Sequence, residues 1–241
     1  MLSKIPVIEL FGPTIQGEGM VIGQKTMFVR TAGCDYSCVW CNSAFTWNGT
    51  EKDATRMMHP EEVLDELLAL GGSRFNHVTI TGGNPALIGS PMARFIDLCH
   101  QRGYRVGLET QASRMQPWFL EVDDLTLSPK PPSSRMNTDW TVLDKIVATL
   151  DDKRVNFSLK VVVFDDADIE YAKNVFARYP HVTQKYVQPG NARVTELGDI
   201  SQHLLERLAW LFQVVIDRPE FNSVRVLPQL HAMVWSNQRE R

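Results

Sequence analysis

A chain of 241 residues with 44% hydrophobic side chains carries enough apolar material for one domain with a substantial core. Its 25 Lys and Arg against 28 Asp and Glu leave a formal net charge of −3, which excludes a nucleic-acid face built on clustered cations. The opening MLSKIPVIELFG lacks the apolar run of a signal peptide and no stretch approaches a membrane span, so a soluble cytoplasmic protein without membrane or nucleic-acid partners is expected.

In chain order, short β-branched runs alternate with amphipathic segments that carry their own start and stop signals. KTMFVRTAG (25–33) reads as a strand. HPEEVLDELLALGG (59–72) reads as a helix, with Pro60 near its first turn, acidic residues following and glycines closing it. NHVTITGGN (76–84) is the next strand. Ser90-Pro91 resembles an N-cap and first-turn pair opening MARFIDLCHQRG, and YRVGLET (104–110) returns to strand. LTLS, FSLKVVVF and QKYVQPG are further strands, separated by helices near 139–150, 166–178 and 196–211. About six βα units in one uninterrupted chain predict a single α/β domain over 1–241 with a parallel sheet, either open and doubly wound or a complete or partial barrel.

Polar residues recur at the carboxyl ends of these strands, the edge on which βα barrels carry their sites. Arg30 and Cys34 follow the first strand, Thr81, Gly82 and Gly83 the second, and Glu109 and Thr110 the third. Ser128 and Lys130 follow the fourth, Lys160 lies within the fifth and Gln188 closes the sixth. Any one of them is explained as a solvated loop residue; the shared edge is the signal.

Three of the four cysteines, Cys34, Cys38 and Cys41, fall on the loop GCDYSCVWCNS with the spacing C-x3-C-x2-C. In a reducing compartment such a group points to metal rather than disulfides. A structural zinc needs a fourth ligand, and Cys99 sits at an apolar helical position where cysteine serves as a small core residue. Three thiolates can instead hold three irons of a 4Fe-4S cluster and leave the fourth open to a substrate or cofactor. Unligated thiols are the third possibility.

The loop, with Trp40 before its last cysteine, resembles the radical S-adenosylmethionine enzymes, and TGGNP (81–85) resembles the glycine-rich strand end that receives the cofactor's methionine amino group. In that family the open iron chelates S-adenosylmethionine, and an electron from the reduced cluster yields a 5'-deoxyadenosyl radical. FGPTIQGEG, FVRTAGC, ETQ, SPKPPSS, LKVVV and RVLPQLH narrow the resemblance to the 7-carboxy-7-deazaguanine synthase subfamily, from Phe11 to His231. It implies a modified, incomplete (β/α) barrel, a homodimer and an external electron donor such as a flavodoxin. The implied reaction is a carbon-nitrogen lyase step of queuosine biosynthesis. It contracts the ring of 6-carboxy-5,6,7,8-tetrahydropterin to 7-carboxy-7-deazaguanine with release of ammonia.

The resemblance places Gly83, Glu109, Ser128, Pro129, Lys130 and Gln188 at cofactor positions and Ile15, Gln16, Gly17, Glu18, Arg30, Thr81 and His231 at substrate positions, so that both ends of the chain contribute to the substrate site. Glu18 suits the guanidine-like edge of a pterin, and Arg30 offers a planar fork to a carboxylate. Ser43 falls where the family binds Mg2+ through a hydroxyl. Asn42 departs from the family's Asp and removes a charge that would favour the metal, and the tail after His231 is not assigned by the resemblance. Two alternatives remain: a glycyl-radical activase of the same superfamily, and a non-enzymatic iron-sulfur or zinc module.

Overall fold

Side chains alternate across a strand, so each strand of a βα barrel offers one face to its helices and one to the interior. The computed structural model describes residues 4–240. Its strands are β1 (Ile5–Ile15), β2 (Lys25–Thr31), β3 (Arg56–Met58), β4 (His77–Gly82), β5 (Arg105–Thr110), β6 (Asp124–Leu127), β7 (Phe157–Val163), β8 (Lys185–Pro189) and β9 (Val224–Val226). The helices are α1 (Pro60–Gly71), α2 (Ser90–Gln101), α3 (Trp140–Asp152), α4 (Asp166–Arg178), α5 (Ser201–Ile216) and α6 (Leu230–Trp235).

All nine strands share one sheet in the order β3-β1-β2-β4-β5-β6-β7-β8-β9. From β2 to β9 every pairing is parallel, whereas β1 runs antiparallel to both β2 and β3. The outermost strands β3 and β9 do not pair with each other, so the barrel is incomplete.

The two faces differ sharply in chemistry. Val78 and Ile80, Val106 and Leu108, Leu125 and Leu127, and Leu159, Val161 and Val163 belong to the buried apolar core shared with the helices. The alternate positions face inward and many are polar: Thr26 with His77 and Thr79, Thr126 with Ser158, and Glu109 with Lys160 are joined by side-chain hydrogen bonds, while Phe28 and Val162 are apolar. A complete βα barrel usually fills its interior with branched apolar residues. Here hydrogen-bonded polar groups occupy that space, each buried group satisfied largely by its neighbour.

Four elements differ from the sequence expectation. β1 is eleven residues long, yet Gly12-Pro13 interrupts its alternation and the register shifts between Phe11 and Thr14, so the run does not read as a strand. No α-helix joins β5 to β6; a 3-10 turn at Pro117–Glu121 does, burying Trp118 and Phe119. The helix expected near 196–211 spans Ser201–Ile216, because Gly198 takes φ +117° and the Asp199 carboxylate accepts the Ser201 N–H at 2.8 Å. Helix α2 starts one residue earlier than expected, with Gly89 as its N-cap and Ser90 already helical. Cys99 is fully buried in α2, as its apolar position predicted, and burial pushes its thiol up to about 12.

Candidate active site

A cavity of about 270 Å³ opens at the carboxyl ends of β2, β4, β5 and β7, close to the lower limit of roughly 300 Å³ for small-molecule sites. Its walls include the three loop cysteines, Arg30, Thr81, Gly83, Glu109 and Lys130. The end of β1 supplies Ile15, the turn to β2 supplies Gln16, Gly17 and Glu18, and the far end of the chain supplies His231, so the cavity brings together residues more than 200 positions apart.

The cysteine loop is clamped from several sides. Asp35 accepts hydrogen bonds from Asn84 at 2.8 Å, Gln111 at 2.7 Å and Ser113 at 2.6 Å. The Trp40 indole donates to Ser133 at 3.0 Å, and the Tyr36 hydroxyl donates to the Asn137 carbonyl at 2.8 Å. Gln111 and Trp47 each direct an N–H at a thiol, Cys34 and Cys41 respectively, at 3.5 Å. The two glycines of the TGGNP stretch seat this loop: a Cβ on Gly82 would lie 2.2 Å from the Thr31 carbonyl oxygen, and one on Gly83 would lie 2.1 Å from that of Gly33.

Burial raises the Cys34 thiol, and burial together with the neighbouring thiols pushes Cys38 up to about 11 despite Lys130, so a bound metal must displace these protons. Among the described residues no three His, Cys, Asp or Glu side chains converge on one point as ligands of a single ion. A cluster that takes each thiolate on a different iron requires no such convergence. Three half-buried sulfurs on an anchored loop, facing one cavity with no fourth cysteine near, fit a 4Fe-4S cluster with one open iron.

Deeper in the cavity Lys160 is fully buried, with its ammonium 2.8 Å from Glu18 and 2.7 Å from Glu109. Burial opposes both charged forms, yet the pairing prevails: the two carboxylates hold Lys160 above the usual lysine range, and Lys160 holds Glu18 well below the usual carboxylate range. Burial lowers His231, with Glu18 offsetting only part of the effect, so its imidazole is neutral at pH 7 and stands 3.8 Å from the Glu18 carboxylate. Gly17 makes room for that ring, since a Cβ there would lie 2.2 Å from His231 Nδ1.

At the rim, Arg30 donates to Glu9 at 2.6 Å and to the Ser43 hydroxyl at 3.2 Å, and Ser43 in turn donates to Asn42 at 3.2 Å. The tail that sequence left unassigned lies here. Arg239 donates to Glu9 at 2.8 Å and to Glu51 at 2.9 Å, and its guanidinium sits 3.9 Å from the centre of the Phe45 ring. Neither Arg239 nor Glu9 bears a local sequence signal that marks it for the site.

Three expected cofactor positions do not reach the cavity. Ser128 is buried behind Lys130, whose ammonium lies 3.3 Å from its hydroxyl, and Pro129 is buried beside it. Gln188 is fully buried beside Glu18, whose carboxylate its amide helps to hold in the charged form.

Residues 28–128 match the model of the Radical SAM superfamily. Over 240 residues the chain is 53% identical to the 7-carboxy-7-deazaguanine synthase of Bacillus cereus, with 99% of both chains covered. That of Bacillus subtilis is 52% identical, again over 99% of each. The chain belongs to the 7-carboxy-7-deazaguanine synthase family. Membership of this radical S-adenosylmethionine family implies a 4Fe-4S cluster and S-adenosylmethionine, the groups for which the cysteine loop is suited. The fold agrees with the crystal structure of QueE from Escherichia coli at a TM-score of 0.56 and 22% identity, covering 87% of this chain and 91% of that one. No described helix is long and apolar enough to cross a membrane.

Proposed function

We propose that this chain is a cytoplasmic, homodimeric enzyme that converts 6-carboxy-5,6,7,8-tetrahydropterin to 7-carboxy-7-deazaguanine with release of ammonia, drawing electrons from a donor such as a flavodoxin. The observation that carries the reading is one cavity in which three thiols face a buried Glu18–Lys160–Glu109 group. A structural metal module has no use for such a pocket beside its metal. When bound, the cluster and S-adenosylmethionine would supply the radical chemistry that the ring contraction requires.

The chain's own residues bind and orient. Cys34, Cys38 and Cys41 hold the cluster, while Gly83, Lys130 and Glu109 line the cofactor's part of the cavity. Glu18, kept ionised by Lys160, accepts N–H donors from the guanidine-like edge of the pterin. Arg30 receives the substrate carboxylate, its side chain set by Glu9 and by the flanking rings of Phe11 and Phe45. Thr81 and His231 complete the wall around the ring.

Mg2+ in this reading would be held at Ser43, an oxygen donor of the kind it prefers. Asn42 would contribute an acceptor without a charge, and Arg30 stands 3.2 Å from the same hydroxyl, so the substrate's carboxylate would be needed to balance that cation. The test is anaerobic reconstitution, then S-adenosylmethionine, reductant and the pterin, with and without Mg2+, read by mass spectrometry. Ring-contracted acid without stoichiometric loss of S-adenosylmethionine is expected. Cleavage to 5'-deoxyadenosine with no pterin product would reject the substrate, and about one zinc without sulfide in the purified protein would reject the radical chemistry.

A further inference from the structure

Gln229 is not among the residues that the family resemblance assigns, and it is 8% exposed in the wall of the cavity. It is the N-cap residue of α6, and the next residue ties this end of the chain to the first substrate turn: the Leu230 N–H donates to the Gly17 carbonyl at 3.0 Å. Its amide Nε2 donates to Glu18 Oε1 at 3.1 Å. The opposite amide orientation would set carbonyl oxygen against carboxylate, so this bond fixes which way the group points. The other end of the amide, Oε1, is shut from solvent and accepts no hydrogen bond.

A buried acceptor without a partner is unusual in a native structure, and here it belongs to a residue of the cavity wall beside a carboxylate. Two adjacent acceptors on one wall complement a ligand edge that carries two adjacent N–H donors. Such an edge is found on 2-amino-4-oxo pyrimidine rings, with a ring N–H next to an exocyclic amine. A 2-oxo ring would turn a carbonyl oxygen towards the same wall and be rejected.

We propose that Gln229 is a specificity-determining residue whose Oε1 accepts a hydrogen bond from the exocyclic 2-amino group, while Glu18 takes the neighbouring ring N–H. This deepens the pterin reading and rests on it. Lys160 supports the arrangement by holding the other oxygen of Glu18, which leaves Oε1 on the Gln229 side.

The experiment is calorimetric titration of the cluster-loaded protein with S-adenosylmethionine present and no reductant, so that no turnover occurs. The probes are 6-carboxytetrahydropterin and its 2-oxo counterpart, against wild type, Gln229→Leu and Gln229→Met. Both variants remove the acceptor at similar volume, and melting curves with the cluster absorbance confirm that each is folded and loaded. Both are expected to bind the 2-amino compound about ten- to a hundredfold more weakly and the 2-oxo compound within about threefold of wild type, so discrimination narrows. Equal weakening of both compounds, or undiminished preference for the amine, overturns the assignment while leaving the pterin reading intact. A wild type that binds neither compound overturns both.

Discussion

Two lysines on neighbouring strands are buried to nearly the same degree and are treated by the fold in opposite ways. Lys160 on β7 is 0% exposed and Lys185 on β8 is 6% exposed. Lys160 faces the barrel interior, where two carboxylates hold its proton. Lys185 pairs with Leu159, an outward position, and donates to the Phe176 and Pro180 carbonyls at 3.1 and 3.4 Å, where the chain leaves α4. Burial therefore lowers Lys185 while ion pairing raises Lys160. Backbone carbonyls satisfy a donor but add no charge; carboxylates do both. One lysine is an internal brace for a helix end, and the other keeps Glu18 ionised.

The largest break in this comparison is Lys160→Met. It leaves Glu18 and Glu109 facing each other without a cation, a change expected to cost about 3–5 kcal/mol in denaturant unfolding and to abolish turnover. Burial, which already works to raise Glu18, then prevails. The variant's folded Glu18 pKa rises above its unfolded value, so the variant loses stability as pH rises from about 5 to 8. Wild-type Glu18, depressed in the fold, contributes stability above its unfolded pKa that is lost only as pH falls below it. Parallel pH curves for the two proteins would show that the ion pair is not the stabilising element.

Glu18→Gln keeps the shape and removes the charge. A bond to an ionised group is worth about 1.5–3 kcal/mol, so kcat/KM for the pterin should fall about 10- to 100-fold, mainly through KM. Steady-state kinetics at saturating S-adenosylmethionine decide this, and a fall confined to kcat would place Glu18 on the chemistry instead.

Arg239→Ala tests the rim in the same terms, because Glu9 then serves Arg30 alone. The guanidinium is 44% exposed and its contacts are partly screened, so stability should fall by about 1 kcal/mol or less and KM should rise a few-fold at unchanged kcat. A change in kcat equal to that in KM would contradict a rim role.

Lys185→Met should have the smallest effect, within about 1 kcal/mol of wild type near pH 7 and with full activity, since an apolar chain replaces a charge held at a cost. The signature lies in alkali. Burial holds Lys185 below the usual lysine value near 10.5, so wild type gains on this variant as pH rises towards that value. Lys160, raised in the fold, contributes stability below 10.5 and loses it only at higher pH, so the two lysines give opposite slopes.

What the sequence made legible follows from how local each signal is. The thiol spacing, the glycine pair and the outer-face alternation in FSLKVVVF lie within a few residues of one another, and the structure reproduces each. Lys160 sat in an apolar run and was visible as an anomaly, but its partners are 142 and 51 residues away and nothing local names them. Arg239 and Glu9 are 230 residues apart, and their contact is a property of the fold alone. Ser128, Pro129 and Gln188 lie at or just past strand ends, as the pattern required, and are buried, Ser128 against Lys130 and Gln188 against Glu18 of the cavity wall. Strand position states which edge a residue occupies and not how far it reaches.

The hydrogen bond from Leu230 to Gly17 joins the two ends of the chain at the substrate site. A polypeptide leaving the ribosome therefore completes its thiol loop and most of the parallel sheet long before Gln229 and His231 are made. The part of this enzyme that holds the source of radicals is finished first, and the part that gives them a target is synthesised last.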